Sequence, residues 1–215
     1  MRLSRRLFLT YGAIASTFAA SLGVTGQANA APGAEPIYVK MTTSLGDITL
    51  ELNKAKAPIS VDNFLKYVDK KFYDGTIFHR VIENFMIQGG GFLPDMTQKK
   101  TSDPIKNEWE NGLKNVRGSI SMARTQVADS ATSQFFINVK DNTFLDTPRD
   151  GAAYAVFGKV VDGMDVVDKI KKVKTTTKGP YGDVPEETVT IKSVKKLTEA
   201  EVKTLKAKLQ KAEKK

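Results

Sequence analysis

The chain has 215 residues, 40% of them hydrophobic and 27% charged, an ordinary composition for a globular protein of one domain or two small ones. It has no cysteine and one histidine, His79, which excludes disulfides, thiol nucleophiles, thiolate metal sites and multi-histidine zinc centres. The net charge of +9 is unevenly placed: three arginines stand in the first thirty residues, and the segment from Lys192 onward holds nine lysines against three glutamates, so the body of the chain is close to neutral and lacks the basic face of a nucleic-acid binder.

Residues 1–30 read as an export signal. Arg2, Arg5 and Arg6 precede an apolar, small-residue run from Leu7 to about Val24, and Ala28-Asn29-Ala30 supplies the small-residue pattern for cleavage before Ala31. The run is short for a membrane span, and no later segment approaches one. "SRRLFL" (Ser4–Leu9) resembles the twin-arginine export motif, a receptor-read address rather than an anchor. The mature protein is expected to be exported, to the periplasm or else to a secreted or lumenal location, with no integral membrane segment.

Residues 31–36 read as a linker. "IYVKMTTSLGDITLEL" (Ile37–Leu52) alternates on either side of Ser44-Leu45-Gly46, a hairpin signal. Val61, Phe64, Leu65 and Val68 then fall at helical spacing, with Ser60 as the expected cap and Asp74-Gly75 as the stop. "TIFHRVI" (Thr76–Ile82) returns to strand, and Gly89 to about Asn115 reads as loop. "SISMA" (Ser119–Ala123), "SQFFINV" (Ser133–Val139), "AYAVFGKVV" (Ala153–Val161) and "TVTIKSV" (Thr188–Val194) are strand-like. "GMDVVDKIKKV" (Gly163–Val173) is a second helix, with Met164, Val167 and Ile170 on one face. Strands and helices do not alternate, which disfavours a doubly wound parallel sheet. The expected fold is mainly β: a closed eight-stranded antiparallel barrel over residues 37–194, capped by two α-helices. Residues 195–215 form a lysine-rich C-terminal unit, with Thr198 and Glu201 as a capping box and a thin apolar stripe of Val202, Leu205 and Leu209 that predicts a weakly docked helix.

Most site chemistries fail on the residues. Gly89-Gly90-Gly91 lacks the Lys-Ser or Lys-Thr of a phosphate loop, and "GSISMA" around Ser119 and Ser121 is not a nucleophile elbow. His79 alone reads as a structural strand residue. No metal or cofactor is expected. In "FHRVIENFMIQGGGF" (Phe78–Phe92), however, Arg80 alternates with Phe78 and Ile82, with only Glu83 nearby as a partner. A buried, unpaired charge costs several kcal/mol or more, so the position is a salt bridge or a working site. One chemistry needing neither nucleophile nor proton transfer is rotation about an X–Pro bond, limited by amide resonance with a barrier of ~18–20 kcal/mol. It calls for a rigid cation aimed at the proline nitrogen, apolar walls and a Gln or Asn, and Arg80, Phe85, Met86 and Gln88 supply these. Strict alternation would put Phe85 and Gln88 on opposite faces, so the regular strand must begin after Phe85 or bend there.

From about Ile37 to Val194 the chain resembles a bacterial cyclophilin-type peptidyl-prolyl cis-trans isomerase, on "FHRVIENFMIQGGGF", "GSISMAR", "SQFFINV" and "YAVFGKVVDGMDVV" in that order. The resemblance implies isomerisation of proline-containing polypeptides by a monomer without cofactor, with no nucleic acid as partner. It implies catalytic roles for Arg80, Phe85 and Gln88, and substrate-binding roles for Met86, Ala123, Gln134, Phe136, Phe144, Leu145 and Tyr154. Three positions depart from common family members: Phe144 stands where eukaryotic members carry Trp, Arg124 where Asn is frequent, and Tyr154 where His is common. The change at Arg124 implies an altered substrate-facing contact. A non-catalytic chaperone or scaffold that docks proline segments on the same barrel is the alternative; the presence of Arg80 favours the enzyme.

Overall fold

The computed structural model describes residues 35–213; the expected export signal and most of the expected linker lie outside the described residues. The strands are β1 (Ile37–Thr43), β2 (Gly46–Leu52), β3 (Phe78–Ile82), β4 (Met86–Gly89), β5 (Ser119–Met122), β6 (Phe135–Asn138), β7 (Val156–Asp162), β8 (Thr175–Lys178), β9 (Tyr181–Pro185) and β10 (Ile191–Lys196). The helices are α1 (Pro58–Asp69), α2 (Met164–Ile170) and α3 (Glu199–Glu213). Eight strands form one curled sheet in the order β10-β1-β2-β7-β5-β6-β4-β3, paired antiparallel throughout. Its two edges meet at the starts of the end strands β3 and β10, where Ile77 bridges Thr190, the Phe78 N–H donates to the Val189 carbonyl at 2.9 Å and the Ile191 N–H to that of Thr76 at 2.7 Å. These bonds close the sheet into the expected barrel.

Alternation explains the inner face. Val39 opposes Leu50 and Met41 opposes Ile48 across the first hairpin, and all four are fully buried. Burying such a side chain contributes roughly 1.5–3 kcal/mol. α1 adds Val61, Phe64, Leu65 and Val68 to the same core, and α2 adds Val166, Val167 and Ile170. Phe64 packs against Tyr73, Phe135 and Phe157 with ring centroids 5.0–5.8 Å apart.

Two local expectations are corrected. Ser60 does not cap α1: Ala57 holds the N-cap position and Pro58 opens the helix, where its missing N–H costs nothing. The free amides of Ile59 and Ser60 donate to the Glu108 carboxylate, so the cap arrives from the long loop. The structure also adds a hairpin that the sequence pattern does not predict, β8–β9, paired from Thr175↔Pro185 to Lys178↔Tyr181. Its "TTTKGPYGDVP" is largely exposed, and no buried stripe marks it as strand.

After β10, α3 opens on a capping box in which the Thr198 N–H donates to Glu201 Oε2 at 2.9 Å and the Glu201 N–H returns to Thr198 Oγ1 at 3.4 Å. Leu205 is buried, Val202 and Leu209 half-buried, and Lys208 pairs with Asp162 of β7.

Candidate active site

The barrel carries a second apolar cluster outside its core, and a β-bulge puts it there. Between β3 and β4, Phe78 pairs with Gly89 but Arg80 with Gln88, so His79 is an extra residue. The bulge shifts the phase of β3: Phe78 and Val81 both belong to the core, whereas Arg80 lines the outer cavity and Ile82 packs beside it. Phe78 and Arg80 therefore do not share a face, as unbroken alternation would require. β4 begins at Met86, and Phe85 precedes it in a turn where its N–H donates to the Ile82 carbonyl at 3.0 Å. Met86 and Gln88 then point to the cavity while Ile87 points to the core. On β6, Phe136 lines the cavity, and Phe135 and Ile137 fill the barrel.

The cavity holds about 610 Å³. Arg80, Phe85, Met86, Gln88, Ala123, Gln134, Phe136, Leu145 and Tyr154 all line it. Phe144 stands outside its wall, 45% exposed, stacked on Phe85 at 5.7 Å with the Arg149 guanidinium 5.7 Å from its ring centroid. Met86, Phe136 and Leu145 form the buried floor, and Tyr154 meets the edge of Phe136 at 5.6 Å. Gln88 donates to Gln134 at 3.0 Å. The glycines of this stretch make room: a Cβ on Gly91 would strike the Gln134 side chain at 2.6 Å, and Gly90, at φ +84°, would drive one into the Phe135 ring.

Arg80 is half-exposed, and its partner is not Glu83: its Nε lies 3.5 Å from the Asp183 carboxylate of β9. The charge is therefore neither deeply buried nor unpaired. His79 is buried against Phe92, ring centroids 4.5 Å apart. Desolvation first, and the neighbouring Arg80 cation second, hold its pKa down at about 4, so the imidazole is neutral near pH 7.

Arg124 also lines the cavity. Its guanidinium donates to the carbonyls of Ala153, Thr125, Gln126, Arg149 and Ala152 at 2.6–3.3 Å and lies 4.8 Å over the Tyr154 ring. Its donors are spent on tying two loops to the cavity wall.

Sequence reasoning missed the polar layer behind the wall. Asn142 donates to the Phe85 carbonyl and to Asn138 Oδ1, both at 2.7 Å. Asn138 donates to Asn115 and Ser119, Ser121 donates to Asn115, and Asn115 donates to Asp146 and the Tyr154 carbonyl. The network ties Phe85 and Tyr154 to the barrel through their carbonyls, and Leu145 through the carboxylate of the adjacent Asp146. Its one legible signal was Asn138 inside the apolar run "FFINV".

Residues 38–196 match the family model for cyclophilin type peptidyl-prolyl cis-trans isomerase/CLD. The chain is 60% identical over 158 residues to peptidyl-prolyl cis-trans isomerase A of Dickeya dadantii (strain 3937), covering 74% of this chain and 83% of that one. It is 58% identical over 159 residues to peptidyl-prolyl cis-trans isomerase B of Escherichia coli (strain K12), covering 73% and 97%. A crystal structure of a Cryptosporidium parvum cyclophilin type peptidyl-prolyl cis-trans isomerase, obtained in the presence of the dipeptide Ala-Pro, superposes with a TM-score of 0.65 at 29% identity, covering 75% of this chain and 99% of that one. Family model, close bacterial relatives and fold agree over the segment that builds the barrel and its outer cavity, and the chain belongs to the cyclophilin-type peptidyl-prolyl cis-trans isomerases.

Proposed function

We propose that the enzyme accelerates X–Pro rotation in exported proteins during folding, with Arg80 donating a hydrogen bond to the prolyl nitrogen in the twisted transition state. The observation that carries this reading is Arg80 at the mouth of a cavity whose floor is Met86, Phe136 and Leu145. A prolyl ring on that floor would bring its imide bond to the polar side of the cavity. In the planar ground state the nitrogen lone pair is delocalised into the carbonyl. Twisting localises it, so a fixed donor stabilises the transition state more than the substrate. Gln88 and Gln134 offer amides for a neighbouring substrate carbonyl. The Ala123 N–H is taken by the Gln134 carbonyl at 3.0 Å, which leaves the Ala123 carbonyl as its contact for a substrate N–H.

The export setting rests on residues 1–30, where the arginine pair, apolar run and Ala28-Asn29-Ala30 follow in order. Among the described residues no helix is long and apolar enough to cross a membrane.

Kinetics on one X-Pro peptide test the mechanism. Arg80→Ala is expected to lower kcat/KM by roughly 10²–10³, the loss seen on removing a preorganised donor. Arg80→Lys recovers only part of it, because an ammonium lacks the planar fork. Phe136→Ala instead raises KM and destabilises the fold by about 3–5 kcal/mol. A folded Arg80→Ala protein with wild-type activity would refute the role of Arg80.

A further inference from the structure

We propose that Asp183, on the hairpin outside the barrel sheet, is a positioning residue that sets the orientation of the Arg80 guanidinium at the cavity mouth. The proposal rests on reading Arg80 as the donor to the prolyl nitrogen, and adds that this donor is aimed by a carboxylate from a separate element.

Asp183 is the one acidic residue lining the cavity among the described residues. It meets Arg80 at Nε, 3.5 Å away. A guanidinium is a rigid plane, so holding the Nε edge leaves the two terminal nitrogens as the free prongs and limits rotation about the side chain's last bonds. Both side chains are nearly half-exposed, 43% and 46%, so the pair contributes little to stability. What it can supply is direction.

The backbone around Asp183 is built for that placement. Thr176 pairs with Val184 but Lys178 with Tyr181, so Gly182 and Asp183 together oppose Thr177 and form a bulge. Asp183 itself sits at φ +59°, a left-handed conformation uncommon outside glycine and tolerated best by Asn and Asp. Bulges re-aim side chains, and here a bulge on β9 faces the bulge on β3 that carries His79 into Arg80. An aromatic chain fixes the spacing between them: Tyr181 packs edge-on to Phe92 at 5.2 Å, and Phe92 packs on His79 at 4.5 Å. The hairpin tip is thus tethered to the residue preceding Arg80.

The test is a double-mutant cycle of Asp183→Asn and Arg80→Ala, read as kcat and KM on one X-Pro peptide. Asn tolerates the left-handed backbone, so the substitution removes charge without adding strain, and an unchanged thermal midpoint checks this. Asp183→Asn is expected to lower kcat about two- to fivefold, the range of an exposed ion pair, with KM changed by less than about twofold. In the Arg80→Ala background it should change nothing further. Wild-type kcat in Asp183→Asn, with Arg80→Ala impaired, would overturn the positioning role and leave the Arg80 mechanism standing. An equal loss in both backgrounds would also overturn it, since the effect would not pass through Arg80. A fully active Arg80→Ala protein would remove both readings together.

Discussion

The carboxylate of Glu108 accepts hydrogen bonds from both the backbone N–H and the hydroxyl of Ser60 at 2.7 Å, and from the Ile59 N–H at 2.9 Å, although the residues are 48 and 49 positions apart. A negative group at a helix N-terminus satisfies free amides and complements the helix dipole. Glu108→Ala is therefore expected to destabilise the protein by about 0.5–2 kcal/mol, the usual cost of a lost cap, while leaving kcat on an X-Pro peptide unchanged in the folded state. Urea unfolding with a parallel activity assay measures both.

Asn142→Ala should combine a stability loss with a binding defect. It strips a donor from the Phe85 carbonyl and from Asn138 Oδ1. The Phe85 carbonyl keeps the Val139 N–H at 3.2 Å, but Asn138 Oδ1 is left without its donor, and an unpaired buried acceptor costs about 1–3 kcal/mol. Because Phe85 lines the cavity, KM should rise more than kcat falls. A variant destabilised with wild-type KM would show the network to be structural alone.

Stability should fall on mild acidification. His79 has a folded pKa of about 4 against an ordinary value of 6.5, because burial disfavours its cation. Above pH 6.5 it is neutral in both states and exerts no pH dependence. Between about 6.5 and 4 the unfolded chain takes up a proton that the folded one does not, so stability declines through that window and levels off below it, a total loss of roughly 3 kcal/mol. The chain has no other histidine, so His79→Gln should flatten the slope between pH 6.5 and 5. Denaturant midpoints across that range test it.

Removal of α3 should leave isomerisation intact. The helix docks through Leu205 and the Lys208–Asp162 pair, and none of its described residues lines the outer cavity. β10 continues to Lys196, which pairs with Val39, so the cut belongs after Leu197 rather than after Val194. The truncated protein should lose about 1.5–3 kcal/mol for the uncovered apolar surface, with kcat/KM unchanged.

Period was enough to show most barrel strands and both capping helices, and the motifs shared with the family most of the residues that line the cavity, because each of these is written in neighbouring residues. Phe144 fell outside the wall, and Tyr181 and Asp183 of the exposed hairpin were not foreseen. Alternating Val39, Met41, Ile48 and Leu50 declare a buried face by themselves, and "FHRVIENFMIQGGGF" sets its arginine, apolar residues and glutamine within one hairpin. The tertiary structure alone decided which face the residues of β3 took and which distant partners the polar side chains met. One extra residue at His79 inverted the phase of β3, sending Phe78 inward and Arg80 outward, and a single-residue insertion leaves composition and propensity almost unchanged. Asp183 reached Arg80, Glu108 reached α1 and Asn142 reached Phe85 across long loops. Polar pairings of this kind are set by the closure of the sheet: they depend on distances that exist only after the core has packed, and no periodicity along the chain records them.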